Sequence, residues 1–315
     1  MWIAFEHRFW LFLVLLIPST LCGIFNLYQF LFDRILRKGL HNHIIILLNL
    51  IGLLYNLTDI IWFIYFYRNY SALALTKEFC FLWFYSDYTG FLSLILLGTW
   101  AAIERHILIF HQDYLSTKRK RFLFHYLPMI LILIYSLLYY LIVYISSSCR
   151  TNRLYSRPRC GLAYCISRLQ LVAIWDNLFN NIIPTFLIVI FSIALILRVF
   201  YSKYRINQRF RWKNYQKLTI QSVSISFIYI VFYFPSMILN LLSIVGALTR
   251  SASDLYSTSL FLSYFVPLFI PLFCTISLPE LRKKFQINHP RRTNHIAPQF
   301  AKNNQLNTIG FQPYS

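Results

Sequence analysis

The sequence predicts an all-α membrane protein: a bundle of seven transmembrane helices followed by a short amphipathic eighth helix. Three observations predict it. Of 315 residues, 58% are apolar and only 13% charged, whereas a soluble domain is about one quarter charged. Seven stretches each supply the roughly 20 apolar residues needed to cross about 30 Å of hydrocarbon. The basic residues are shared very unevenly between the connecting loops. A soluble core of this size could not hide so much apolar surface. That excludes a cytosolic enzyme, a disordered chain and a disulfide miniprotein. The formal charge of +20 would suggest nucleic acid in a soluble protein. Here the cations cluster between apolar stretches, so the expected partner is the lipid membrane and no nucleic-acid partner is expected.

The stretches run over about 10–32, 41–67, 79–111, 123–146, 170–200, 216–246 and 255–278. The first is too long for a signal peptide and has no clear small-residue cleavage site, so it is expected to stay as a membrane helix. The first, second, fourth and seventh are the clearest. The third, fifth and sixth carry interior polar groups, which must face neighbouring helices rather than lipid. Proline lies inside five of the seven: Pro18, Pro128, Pro184, Pro235, and the pair Pro267 and Pro271. Membrane helices tolerate such kinks because neighbours satisfy the freed carbonyls. After the seventh stretch, Leu281 and Phe285 share a helix face beside Arg282, Lys283 and Lys284. This predicts a short surface helix at about 279–286, its cations near anionic lipid. Residues 1–287 therefore read as one membrane domain and the polar 288–315 as a disordered cytoplasmic tail.

Orientation follows from the basic residues. The loops at 33–40, 112–122 and 201–216, the helix ends beside them and the C-terminal segment hold 21 of the 30 Lys and Arg, so that side is expected to be cytoplasmic. The N-terminus then lies outside, in a plasma membrane. Cys149, Cys160 and Cys165 fall in one outer loop, where disulfides form. Asn69-Tyr70-Ser71 is a glycosylation sequon in the first outer loop.

Several residues stand in an order that resembles the class A, rhodopsin-like G-protein-coupled receptors. Cys80 opens the third stretch and Glu104-Arg105-His106 closes it, with the family's Cys-to-Arg spacing. Asn26 sits in Gly23-Ile24-Phe25-Asn26, Pro184 and Pro235 match the helix 5 and helix 6 prolines, and Ile270-Pro271-Leu272-Phe273-Cys274 stands in the place of Asn-Pro-x-x-Tyr. The departures are His106 for Tyr, Tyr233 for the helix 6 Trp, Ile270 for Asn and Cys274 for Tyr. The match covers about residues 8–287 and reads as a divergent member.

The resemblance implies an extracellular ligand and a heterotrimeric G protein as partners, with no covalent chemistry and no cofactor. It implies an activation switch in which Glu104 holds Arg105 until a G protein docks, with His106 beside it, Pro235 as the helix 6 hinge and Pro271 in helix 7. It also implies a disulfide from Cys80 to the second outer loop. Cys165 is the expected partner and Cys149–Cys160 a second bridge, while Cys80–Cys160 stays open because spacing does not fix connectivity. The expected ligand-binding residues are Asp87, Trp83, Tyr88, Phe91, Asp176, Asn180, Tyr233 and Tyr264. In amine-binding members an acid at the Asp87 position takes the ammonium, a helix 7 tyrosine at the Tyr264 position supports it, and Trp83 could add cation–π attraction. The five arginines between 150 and 168 point instead to an acidic or peptide ligand by steering, so amine and peptide both stay open. No lysine lies in 255–278, which excludes retinal. Nor does the sequence contain a nucleophile–base pair, phosphate loop or metal cluster, so no enzyme is expected. The alternatives are a receptor-like protein with weak G-protein coupling, or a transporter or channel, with Asn49, Asp87, Asp176 and Asn180 as its polar path. The absence of an internal repeat argues against one.

Overall fold

Among the described residues, seven helices are long and apolar enough to cross a bilayer. They are α1 (Phe5–Phe32), α2 (Asn42–Asn69), α3 (Lys77–Leu108), α4 (Lys118–Ser146), α5 (Gln170–Arg198), α6 (Val223–Ile244) and α7 (Asp254–Ile276). A computed structural model describes residues 4–110, 116–147, 149, 160–161, 165–166, 169–206, 223–247 and 250–277. No strand occurs among them. Each of the seven predicted stretches contains one of these helices. The expected surface helix at 279–286 and the tail at 288–315 lie outside the described residues, as does most of the loop between α5 and α6.

The helices form one bundle around α3. It packs against α2, α4 and α5, while α1 packs against α2 and α7, and α6 bridges α5 and α7. Large apolar side chains such as Val14, Leu21, Leu131, Ile142 and Leu197 stay exposed on the outer faces. In water that would be an aggregating surface, and in a bilayer it is the lipid contact.

The prolines shape the spans as well as bending them. Wide turns with i→i+5 spacing occupy Phe122–Tyr126, Asp176–Ile182 and Tyr229–Tyr233, and each ends two residues before Pro128, Pro184 or Pro235. Proline lacks an N–H, and its ring clashes with the carbonyl four residues back. The chain opens one wide turn to relieve both problems. A fourth wide turn, Asn56–Ile60 in α2, has no proline beside it. In α7 the relief takes another form: the helix breaks at Tyr264 and restarts at Phe265, with Pro267 in the tolerated first turn.

Buried amides knit α1, α2 and α7. Asn26 donates to Asn49 (3.2 Å) and to the Pro271 carbonyl (2.8 Å), and accepts from Thr275 (2.9 Å). Asn56, which heads a second sequon, Asn56-Leu57-Thr58, is fully buried and donates to Ser19, so it cannot carry a glycan. Asn69 is exposed at the end of α2.

Candidate functional site

A cavity of about 590 Å³ opens among α3, α4, α5, α6 and α7. Cys160, Gly161 and Ile166 of the segment between α4 and α5 border it, so it lies toward the disulfide end of the bundle. Two carboxylates line it, Asp87 from α3 and Asp176 from α5, together with Tyr88, Phe91, Asn181 and Tyr233. None of the described lining residues is basic.

Each carboxylate is positioned by hydroxyl groups. Asp87 accepts from Tyr55 of α2 and from Tyr264 of α7 (3.2 Å). Gly90, one turn along α3, makes the first contact possible, because a Cβ there would lie 2.9 Å from the Tyr55 ring. The α7 break at Tyr264 turns that tyrosine inward. Asp176 accepts from Tyr140 of α4 (2.7 Å) and from Asn180 (2.9 Å). Asn177 and Asn240 join α5 to α6, and Tyr256 of α7 donates to Asn240 (3.2 and 3.0 Å).

Of the expected ligand residues, Asp87, Tyr88, Phe91, Asp176, Tyr233 and Tyr264 face this cavity and two do not. Asn180 is buried and takes a hydrogen bond from Tyr135 of α4 (2.6 Å). Asn181 lines the cavity in its place and accepts from Tyr233. The wide turn brings Asn181 under Asp176 as well: its amide donates to the Asp176 carbonyl (2.8 Å), while Asn180 keeps the Asp176 carboxylate on its other side. Trp83 sits among Trp62, Phe63, Phe66 and Phe79 and borders only a small adjoining recess beside Asp87. Asp59 is fully buried behind this wall and accepts from Ser86 (2.6 Å) and Thr58 (3.0 Å).

The disulfides differ from the expected pairing. Cys80 bridges Cys160, and Cys149 bridges Cys165. Cys149 lies just beyond the end of α4 and Cys165 just before α5, so their bridge closes the base of the loop. Cys160 is thereby left to reach the start of α3.

At the opposite end of the bundle, Glu104 and Arg105 are both almost fully buried. Glu104 does not pair with Arg105, contrary to the expected switch. Its carboxylate meets the imidazole of His125 on α4. A histidine at that place outcompetes the neighbouring guanidinium because α4 presents it across the helix interface, whereas consecutive residues on a helix diverge. Nη2 of Arg105 is buried without a hydrogen-bond partner among the described residues. His106 meets the Phe191 carbonyl of α5 (2.7 Å). Tyr229 of α6 donates to the Leu94 carbonyl (2.9 Å) across Gly98 of α3, where a Cβ would lie 3.3 Å from the hydroxyl.

A family model, the 7 transmembrane receptor (rhodopsin family), matches residues 9–273. The chain belongs to that family. None of the curated proteins compared with it matches. The rhodopsin-family receptor described here is thus a multi-pass membrane protein and not an enzyme. Residues outside the family motifs also build these two places: Tyr55, Asn181, Asn240 and Tyr256 around the cavity, and His125 at the far end.

Proposed function

We propose that this receptor lies in the plasma membrane with its disulfide end outside, takes an extracellular ligand into the cavity, and activates a heterotrimeric G protein at the opposite end. The ligand class that the cavity supports best is a small cation. The observation that carries this is the lining itself: Asp87 and Asp176 face one space, and their described donors, Tyr55, Tyr264, Tyr140 and Asn180, are neutral, with no basic side chain among the described lining residues. Aromatic walls from Tyr88, Phe91 and Tyr233 complete a site suited to a hydrophobic amine. Ligand binding would favour the conformation in which Arg105 meets the G protein, a population shift for which the Pro235 kink in α6 is the natural hinge.

The test is a screen of amines, peptides and acidic metabolites in cells carrying a promiscuous G protein, followed by Asp87→Asn. A charge-anchored amine should lose more than tenfold in potency, since hydrogen bonds to charged groups are worth about 1.5–3 kcal/mol. Unchanged potency at matched surface expression, or activation by an acidic peptide alone, would remove the cationic reading. An arginine reading is tested separately: Arg105→Ala should abolish signalling with ligand binding intact.

A further inference from the structure

Two of the ten acidic residues of the chain stand in the same cavity, and their hydrogen bonds differ. Asp87 engages the bundle with both oxygens: Oδ1 accepts from Tyr55, and Oδ2 from Tyr264 at 3.2 Å. Asp176 engages it with one. Tyr140 (2.7 Å) and Asn180 (2.9 Å) both donate to its Oδ1. Its Oδ2 takes no hydrogen bond among the described residues and is not enclosed by protein, so it opens to the cavity that Asp176 lines.

The two acids belong to different walls. Asp87 is held from α2 and α7, and Asp176 from α4 and from its own helix, with no donor shared among those described. Aromatic surface separates them. The Phe91 ring lies 6.3 Å from that of Tyr264, whose hydroxyl meets Asp87, and 5.0 Å from that of Tyr233, whose hydroxyl meets Asn181 on α5. The cavity therefore has an acidic pole on the α3 side, an apolar floor, and a second acidic pole on the α5 side.

A carboxylate away from bulk water is costly without a cation, and no described lining residue is basic. A ligand with one ammonium on Asp87 would leave Asp176 uncompensated. Tying α4 to α5 does not account for the acid either, because the neutral carbonyl of an asparagine would accept from Tyr140 equally well. We infer that the ligand is a dication: two ammonium groups joined by a short apolar spacer, one on Asp87 and the other on Oδ2 of Asp176, with the spacer over Phe91. This narrows the cationic reading proposed above and rests on it. Aliphatic amines keep their proton at neutral pH, so such a ligand carries both charges into the site. The spacer is a few carbons rather than a long chain, because α3 and α5 pack directly together and the axes of packed helices lie about 8–10 Å apart. Each pole then gains a charge-assisted hydrogen bond.

The test reads ligand-dependent unfolding temperature on purified full-length receptor, which requires no signalling. The probes are unbranched terminal diamines from propanediamine to octanediamine, the monoamine of each length, and each diamine acetylated at one end. Apparent affinity of the diamines should pass through a maximum at one spacer length. There the diamine should exceed both its monoamine and its acetylated form by about tenfold or more. In Asp176→Asn, which retains an acceptor for Tyr140, the ratio of diamine to monoamine affinity should fall to near unity. Diamines no better than monoamines on the wild type would overturn the dication and leave the cationic reading standing. So would an unchanged ratio in Asp176→Asn, since a merely structural role lowers both affinities together. If that variant does not fold, the acetylated series on the wild type decides alone, because acetylation removes one charge at constant length. Stabilisation by no amine of any kind would remove the cationic reading and the dication with it.

Discussion

Gly90→Ala is the sharpest test of how the cavity is built. A Cβ at Gly90 would stand 2.9 Å from Cδ2 and 3.5 Å from Cε2 of Tyr55, closer than carbon atoms pack. The ring has little freedom to yield. It is 2% exposed, its hydroxyl is fixed on Asp87, and Phe91 packs edge-on at 6.1 Å. Overpacking of this kind costs about 1–3 kcal/mol, against a gain of up to about 1 kcal/mol for replacing helical glycine with alanine. The net should be a loss of about 1–2 kcal/mol, on the order of 5 °C in unfolding temperature for a chain of this size. Gly52→Ala is the matched control, because its nearest neighbour, the Pro267 carbonyl, is an ordinary 3.8 Å away. That variant should be neutral or slightly stabilised. Thermal unfolding of both proteins in one detergent decides the matter. If Gly90→Ala unfolds at or above the wild-type temperature, the contact between α2 and α3 is not what positions Tyr55.

Other consequences are as direct. Proteolysis without reduction should release peptides joining Cys80 to Cys160 and Cys149 to Cys165; a Cys80–Cys165 peptide would contradict the pairing. Asn26→Ala removes the shared partner of α1, α2 and α7 and should cost about 1–2 kcal/mol, seen as a lower unfolding temperature, whereas an unchanged value would mean the buried amide is replaceable by water. Tyr135→Phe and Tyr140→Phe should each cost about 0.6–1 kcal/mol, and a double-mutant cycle should show coupling, because both hydroxyls act on the linked pair Asp176 and Asn180.

The seven spans were legible because the bilayer imposes a length and composition that few other contexts demand. Their ends were less so. The first helix starts at Phe5 rather than near residue 10 because Arg8, polar on paper, lies over the rings of Phe5, Tyr67 and Phe261 and is almost fully buried. Asp87 and Tyr264 could be paired from their places in the chain, since regular helix geometry carries both to one cavity. Asn180 could not be told from Asn181, because a single wide turn shifts every later residue on α5 to a new face. The loop bridges were illegible for a different reason: nearness along the chain to α5 said nothing of which cysteine reaches α3. The least legible feature was the pairing of Glu104 with His125, which depends on helix packing and has no motif.

The two ends of the molecule are joined by α3, which carries Asp87 and Glu104 about 25 Å apart at helical rise. A helix packed on three sides is a poor mover, so a signal along this path has to use its neighbours. On the proposed reading α6 is the element free to respond. Tyr233 accepts the state of the cavity through Asn181, and Tyr229, four residues earlier, holds α6 to the Leu94 carbonyl of α3. Both tyrosines lie in the wide turn below Pro235, where the helix has already given up regular hydrogen bonds. A ligand that draws Asn181 toward itself therefore loads the weakest turn of α6 rather than the stiff axis beside it.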